Sequence, residues 1–154
     1  MVHYVTFPDG TEVRGASLDS RRCNDKWRQF GLYLDPSWKP KWPAVLIAWP
    51  DFGVPKSRVV AAREIQAAFA KAREGVHVEI GCVGGLGRTG TTLACMASLA
   101  GVPARNAVSW VRKHYDDRLV ETTAQERWVL WFAGEVKRQA ASAKSRSKAG
   151  AAKR

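Results

Sequence analysis

The sequence lacks the long apolar segments that mark secreted and membrane-spanning chains. Residues 1–10 include Pro8, Asp9 and Gly10 and contain no apolar core of the kind that secretory signals carry. The longest uninterrupted apolar run covers residues 44–49, whereas a helix needs roughly 20 residues to cross a bilayer. We therefore expect a soluble, cytoplasmic protein that does not insert stably into a membrane.

Cysteine is scarce and irregularly spaced. Cys23, Cys82 and Cys95 are an odd number, and the sequence has neither a C-x-x-C pair nor a histidine cluster. This pattern argues against a disulfide framework and favours a reducing compartment. It predicts no metal site, and we expect neither a metal ion nor another cofactor.

Acidic residues are absent from the C-terminal end of the chain. Residues 137–154 carry seven lysines and arginines, so this short segment accounts for seven of the eleven net positive charges. The sequence predicts one domain over residues 1–136, followed by a basic, low-complexity and largely disordered tail over residues 137–154. Such a tail either stays solvated or contacts a polyanion, and the sequence leaves both readings open.

The order of the predicted elements indicates an α/β fold. Apolar alternation and turn signals predict an N-terminal β-hairpin around residues 8–10 and strands at residues 31–34, 44–49 and 76–81. Helical periodicity and capping residues predict four helices: residues 58–74 after Ser57, 89–100, 103–115, and a last helix with a capping box between Thr123 and Glu126. Alternating strands and helices favour a mostly parallel central sheet flanked by helices.

A glycine-rich turn joins the last predicted strand to a helix. Glycines let successive N–H groups point inward as an anion nest, and the helix N-terminus adds positive potential. Arg88 can bind two phosphate oxygens with its planar guanidinium. The same field favours the thiolate of Cys82, and Thr89 can donate a hydrogen bond to the sulfur. The backbone of the turn is contributed by Val83, Gly84, Gly85, Leu86 and Gly87.

Residues 49–55 form a second chemical motif, in which Asp51 stands between Pro50 and Phe52. A loop with two prolines and a glycine is suited to move as a unit, and its carboxyl group could protonate a leaving oxygen. Asp51 lies 31 residues before Cys82, which leaves room for one crossover helix and a return strand. If the two strands are adjacent and parallel, both loops lie at the same edge of the sheet.

A third motif covers residues 121–125, at the start of the last predicted helix. Gln125 or Glu121 could present a polar group to the same pocket and position a water molecule there. From the residues alone, either side chain could have this role.

Together the three motifs resemble those of the protein tyrosine and dual-specificity phosphatases. Residues 82–90 are similar to the Cys-x5-Arg-Ser/Thr signature loop, residues 49–55 to the mobile acid loop, and residues 121–125 to the glutamine loop. The resemblance implies a cysteine-phosphatase-like fold and a metal-free reaction through a cysteinyl-phosphate. It further implies that Cys82 is the nucleophile, Arg88 and the loop amides bind phosphate, and Asp51 acts first as acid and then as base.

The sequence departs from the family pattern at two positions. Gly81 stands where the family normally has the histidine that precedes the nucleophile. Glu121 stands where larger tyrosine phosphatases have a water-positioning glutamine, and this moves the predicted water-positioning role to Gln125. The chain is also too short to hold the segment with which those enzymes recognise phosphotyrosine.

These observations leave several functions open. The first is hydrolysis of phosphomonoesters on a phosphorylated protein or peptide, on phosphotyrosine and also on phosphoserine or phosphothreonine. Because Gly81 removes a usual activating group, a catalytically weak phosphate-binding pseudophosphatase is the second. A phosphoinositide or RNA 5′-phosphatase is the third, because the tail is basic.

Overall fold

The computed structural model describes residues 2–17 and 26–152, so Cys23 lies outside the described residues. Within these ranges the chain forms five strands and four helices. The strands are β1 (Val2–Thr6), β2 (Glu12–Ser17), β3 (Phe30–Tyr33), β4 (Ala44–Leu46) and β5 (Val78–Cys82). The helices are α1 (Arg58–Arg73), α2 (Gly87–Leu99), α3 (Ala104–His114) and α4 (Thr123–Ala152).

The five strands form one sheet in the order β1-β2-β5-β3-β4. The β1–β2 pair is antiparallel, and the other three pairs are parallel. The hairpin turn adopts the conformation that its residues favour, with Gly10 at φ 87° and the carboxylate of Asp9 accepting the N–H of Thr11 at 3.0 Å. The predicted mostly parallel α/β fold with an N-terminal β-hairpin is confirmed.

The strand order differs in one respect from the sequence-based expectation. Strand β3 lies between β4 and β5, so the strands that carry the two predicted catalytic loops are not adjacent. Because β3, β4 and β5 are all parallel, their C-terminal ends still lie at the same edge of the sheet. The end of β3 therefore also lies at this edge, between the two loops.

Strand β5 is buried on both faces. Its residues Val78, Ile80 and Cys82 belong to the main hydrophobic core, which contains side chains from all four helices. Phe7, just after β1, packs against two of these helices. Its ring meets the ring of Phe69 in α1 edge-on at 5.5 Å and stacks on the ring of Trp110 in α3 at 5.6 Å. These contacts hold β5, and therefore Cys82 at its end, at the centre of the domain.

The opposite face of β5 carries a buried carboxylate, Glu79, which is 1% exposed. It accepts hydrogen bonds from Nε of Arg14 at 2.8 Å, from Nε of Arg28 at 2.9 Å and from the hydroxyl of Tyr33 at 2.8 Å. Burial, together with the Glu79 charge, raises the pKa of Tyr33 far above its usual value, so its hydroxyl stays protonated and donates. The network links β2, β3 and β5 with the segment before β3.

Helix α1 begins as predicted, because the hydroxyl of Ser57 accepts the N–H of Val60 at 3.3 Å. The capping box predicted at the start of α4 is wrong by one residue. Thr122, not Thr123, caps this helix by accepting the N–H of Gln125 at 3.2 Å. Glu126 instead pairs with Arg112 of α3 at 3.2 Å. A run of two threonines gives the sequence no way to choose the capping hydroxyl.

Helix α4 also continues through most of the segment for which the sequence predicts disorder, and it ends at Ala152. Alanine, lysine, arginine and glutamine are strong helix formers, and the segment has no proline. The side chains of residues 140–147 are nevertheless exposed, apart from the half-buried Ser142. This part of the helix therefore gains little stability from tertiary packing.

The buried network predicts a large stability effect at Glu79. Glu79→Gln removes the charge that two buried guanidinium groups share, and we expect the free energy of unfolding to fall by about 3–5 kcal/mol. Urea unfolding followed by tryptophan fluorescence measures the change. The control Glu64→Gln, at an ion pair on the surface, should change it by less than about 0.5 kcal/mol. A similarly small loss for both variants would show that the network does not stabilise the fold.

Candidate active site

The glycine-rich loop, residues 82–88, connects the C-terminal end of β5 to the first turn of α2. Its shape depends on close contact with the end of β2. Gly85 has φ 72°, and a Cβ atom there would lie 3.3 Å from the backbone of Ser17. The hydroxyl of Ser17 donates a 2.5 Å hydrogen bond to the carbonyl of Val83. Residue 85 therefore favours glycine, both because of its positive φ and because a side chain would crowd Ser17.

Cys82 lies at the base of this loop and is 2% exposed. Its Sγ atom accepts the N–H of Gly85 at 3.2 Å and the hydroxyl of Thr89 at 3.0 Å. Helix α2 begins at Gly87, so its N-terminal N–H groups lie next to the loop. Two hydrogen-bond donors and a helix N-terminus therefore lie around this sulfur.

The guanidinium of Arg88 is 5% exposed and is held from one side. Its Nη1 atom donates to the carbonyl of Leu34 at 3.0 Å and to the carbonyl of Trp49 at 3.0 Å. Its Nε atom is buried and has no hydrogen-bond partner among the residues that the structure describes. With Nη1 fixed, the planar group can offer Nε and Nη2 side by side, which is the arrangement for bidentate binding of an oxyanion.

The loop of residues 49–55 lies close to this guanidinium. Oδ1 of Asp51 is 3.8 Å from Nη2 of Arg88, and the Asp51 side chain is 59% exposed. The loop is braced internally, because Nε1 of Trp49 donates to the carbonyl of Gly53 at 2.7 Å. Phe52 adopts φ 59°, a backbone conformation that residues other than glycine rarely adopt. Asp51 is thus held beside the Arg88 guanidinium, with its carboxylate exposed to solvent.

Gln125 is fully buried, and both ends of its amide are engaged. Its Oε1 accepts the N–H of Glu121 at 2.9 Å, and its Nε2 donates to the carbonyl of Gly53 at 3.1 Å. The side chain thus ties the start of α4 to the loop that carries Asp51. The water-positioning role that the sequence assigns to Gln125 remains a prediction.

The carboxylate of Glu121 lies beside the glycine-rich loop. A Cβ atom on Gly87 would collide with Oε1 of Glu121 and would come within 3.2 Å of the amide nitrogen of Gln125. The absence of a side chain at Gly87 therefore leaves room for these two side chains beside the glycine-rich loop. The structure brings all the residues of the three sequence motifs to one edge of the sheet.

Comparison with known proteins supports a shared origin with two archaeal proteins. An uncharacterised protein of Methanocaldococcus jannaschii is 34% identical over 113 residues, covering 66% of this chain and 74% of the relative. A second one is 32% identical over 119 residues, covering 70% and 72%. The chain belongs to one sequence family with these proteins. No protein-family model matches it.

Solved structures give the fold. Tk-PTP in its active form has a TM-score of 0.70 and 24% identity, over 84% of this chain and 96% of that chain. Kinase-associated phosphatase, with its catalytic-site cysteine replaced by serine, has a TM-score of 0.73 and 13% identity, over 89% and 96%. PTPMT1 in complex with PI(5)P has a TM-score of 0.68 and 14% identity, over 83% and 94%.

The chain has the fold of the protein tyrosine and dual-specificity phosphatases. This confirms at the level of fold the resemblance that the three motifs carry. Cys95 lies in α2 and is fully buried in the core. Burial raises the pKa of its thiol well above the usual value, so Cys95 stays protonated.

Several residues that contact the candidate site or the strands beside it could not be identified from the sequence. The carbonyl of Leu34 binds Arg88, and the hydroxyl of Ser17 binds the glycine-rich loop. Tyr115 packs across Gly15, where any side chain would collide with its ring. Burial, with the charge of Cys82 as a further cause, raises the pKa of Tyr115 above its usual value. None of these residues belongs to a recognisable motif, so only the non-local contacts reveal them.

Two features are absent from residues 2–17 and 26–152. No group of three or more histidine, cysteine, aspartate or glutamate side chains is arranged to hold a metal ion. In the same part of the chain, no helix has the length and apolar character needed to cross a membrane.

The contacts of Gln125 separate two possible roles for it. If Gln125 holds the acid loop, Gln125→Ala should lower kcat by about tenfold for a substrate with a poor leaving group, the kinetic equivalent of one buried hydrogen bond. A substrate with a good leaving group should lose less, since it needs less help from Asp51. Steady-state rates with an alkyl and a nitrophenyl phosphate measure the difference, with Gln139→Ala on the same helix as control. An equal loss for both substrates would instead favour the water-positioning role.

Proposed function

We propose that this protein is a cysteine-dependent phosphatase that hydrolyses phosphomonoesters through a cysteinyl-phosphate. One observation carries the proposal. One edge of the sheet carries a cysteine sulfur that accepts two hydrogen bonds, an arginine whose buried Nε has no partner among the described residues, and a carboxylate 3.8 Å from that arginine. These are the nucleophile, the oxyanion site and the proton donor that phosphoryl transfer to a thiolate needs.

The first step transfers the phosphoryl group from substrate to enzyme. The amides of residues 83–87 and the Nε and Nη2 atoms of Arg88 bind the phosphate oxygens, and the Cys82 thiolate attacks phosphorus. A sulfur–phosphorus bond forms while the bond from phosphorus to the leaving oxygen breaks. Asp51, in its protonated form, gives its proton to that oxygen.

The second step returns the enzyme to its starting state. A water molecule attacks phosphorus, the sulfur–phosphorus bond breaks, and Asp51 accepts the proton that the water loses. The hydrogen bond from Thr89 to Sγ stabilises the departing thiolate. We assign the orientation of this water to the start of α4, where Gln125 and the carboxylate of Glu121 lie beside the loop.

The rim of the pocket favours a phosphorylated protein or peptide as substrate. Phe52, next to Asp51, is 59% exposed, and Val83, next to Cys82, is 37% exposed. Two exposed apolar side chains beside the reacting groups suit an aromatic leaving group, and we therefore propose phosphotyrosine as the preferred substrate. Phosphoserine and phosphothreonine are further candidates, and we place the activity in the cytoplasm.

Two alternatives keep a specific motivation. PTPMT1, which shares the fold, was crystallised with PI(5)P, so a phosphoinositide is a second candidate substrate; an RNA 5′-phosphate is a third. A pseudophosphatase would need neither the Asp51 carboxylate nor the hydrogen bond from Thr89 to Cys82, and the presence of both argues against it. A panel of phosphopeptides, PI(5)P and 5′-phosphorylated RNA separates these alternatives.

The proposed acid predicts how rates depend on the leaving group. Asp51→Asn should lower kcat by about 10²–10⁴ for substrates with poor leaving groups, which is the usual contribution of a positioned proton donor. The loss should shrink for nitrophenyl phosphate, because nitrophenolate departs without protonation. Steady-state kinetics without added metal measures both, and Asp117→Asn, at an exposed carboxylate, is the matched control. If both substrates lose the same factor, Asp51 has a structural role instead.

We also propose a polyanion contact through the basic end of α4. Lys137, Lys144 and Arg146 are exposed there, and no acidic residue follows Glu135. Truncation after Ala143 removes five of the seven basic residues of residues 137–154. It should weaken salt-sensitive retention on heparin and leave turnover of an aryl phosphate unchanged. If retention on heparin is unchanged, the proposed contact does not exist. If turnover of the aryl phosphate changes severalfold, the removed segment belongs to the catalytic domain.

A further inference from the structure

The turn before α4 contains a residue in a costly backbone conformation. Val120 adopts φ 63°, and valine is branched at Cβ, so this left-handed conformation is strained. Among the described residues, Phe52 is the other non-glycine residue with positive φ. Both adjoin the pocket, since Phe52 follows Asp51 and Val120 precedes Glu121. Such strain persists only where surrounding contacts enforce it.

Arg112 of α3 provides the contacts that enforce it. Its Nε donates to the carbonyl of Leu119 at 2.8 Å, and its Nη2 donates to the carbonyl of Val120 at 2.9 Å. The guanidinium thus binds the two carbonyls on either side of the strained residue. Its pairing with Glu126, at 3.2 Å, also holds the first turn of α4. A planar group with donors in fixed directions can make these contacts together, whereas a lysine ammonium cannot.

The same turn is connected to the glycine-rich loop. The N–H of Val120 donates to the carbonyl of Leu86 at 3.3 Å. Leu119 and Val120 also press against Gly90 of α2, where a Cβ atom would come within 2.8 to 3.0 Å of them. A change in the conformation of Val120 would therefore move the turn against the loop that binds phosphate.

The turn is connected to the acid loop as well. Directly after Val120, the N–H of Glu121 binds Oε1 of Gln125, whose Nε2 binds the carbonyl of Gly53. A relaxation of Val120 to negative φ would redirect the N–H of Glu121, because that peptide group follows the strained residue. Gln125 would then lose the hydrogen bond that orients its amide toward Gly53.

We propose that Arg112 is a positioning residue for catalysis. By holding Val120 in the left-handed conformation, it keeps Gln125 bound to the acid loop, and so keeps Asp51 over the leaving group. Arg112 touches neither the substrate nor the reacting atoms and acts through the turn alone. This inference rests on the proposed function, because it assigns a role in the protonation step.

The test combines removal of the guanidinium with relief of the strain. Arg112→Met keeps the apolar stem and removes the donors, and we expect kcat for an alkyl phosphate to fall by about tenfold, with KM little changed. The loss should be smaller for nitrophenyl phosphate. Arg112→Lys should resemble Arg112→Met, since charge without the fork cannot bind both carbonyls. Arg105→Met, an exposed change on the same helix, is the matched control and should have no effect.

Glycine adopts a positive φ without a steric penalty, so Val120→Gly should make the clamp unnecessary. In the double variant Arg112→Met/Val120→Gly we expect kcat for the alkyl phosphate to recover to within about threefold of the natural protein. Val120→Gly also removes the packing of a buried side chain. A recovery of kcat in the double variant would therefore show that Arg112 acts by positioning the turn and not by stabilising the fold. An equal loss for both substrates in Arg112→Met, or no recovery in the double variant, would overturn the proposal.

Hydrogen exchange keeps this inference distinct from the proposed function. In Arg112→Met the amide of Glu121 should exchange faster than in the natural protein and in Arg105→Met, because its bond to Gln125 is lost. If the natural protein hydrolyses no phosphomonoester, the proposed function fails whatever the exchange shows. If the protein is active but the exchange at Glu121 is unchanged in Arg112→Met, the positioning role of Arg112 fails alone.

Discussion

One nitrogen atom of Arg88 connects α2 to the segments that follow strands β3 and β4. Arg88 lies in the first turn of α2, which follows β5 through the glycine-rich loop, and its Nη1 donates to the carbonyl of Leu34 just after β3 and to the carbonyl of Trp49 after β4. The three parallel strands therefore converge on a buried cation. The rest of the site depends on this arrangement, because it fixes the guanidinium plane and ties the start of the loop that carries Asp51 to α2.

The buried charges of Glu79 and Arg88 are compensated differently. Around Glu79 the carboxylate accepts from two arginines and a tyrosine, so its charge is compensated within the protein. At Arg88 the Nε atom is buried without a partner among the described residues. A buried donor without an acceptor costs free energy, which a bound oxyanion would recover. The first arrangement satisfies a buried charge within the fold, and the second suits the oxyanion binding that we propose.

The local part of this structure could be predicted from the sequence. The turn around Asp9, the Ser57 cap and the glycine-rich loop each depend on residues close together in the chain, so their patterns carry the information. The position of β3 between β4 and β5 could not be predicted, because no local pattern specifies which strands pair. The continuation of α4 was missed because its composition is compatible both with a helix and with disorder.

The same limit applies within the site. The spacing from Cys82 to Arg88 is local, whereas the contacts of Gln125 with the carbonyl of Gly53 and of Arg88 with the carbonyl of Leu34 join distant segments. Most of these contacts end on backbone carbonyls, which every residue has, so no residue type marks the acceptor in the sequence. For this reason the sequence indicates candidates for the reacting groups, whose roles remain predictions, but does not indicate most of the contacts that hold them in place.

The central claim is that the phosphoryl group of the substrate is transferred to the sulfur of Cys82 during turnover. Rapid quenching of the protein during turnover of an aryl phosphate, followed by mass spectrometry of the peptide that contains residues 78–88, tests it directly. The account predicts a phosphoryl group on Cys82 during turnover and none after substrate is exhausted, with no turnover by Cys82→Ser. Turnover by the active protein without any phosphate on Cys82, or undiminished turnover by Cys82→Ser, would contradict it.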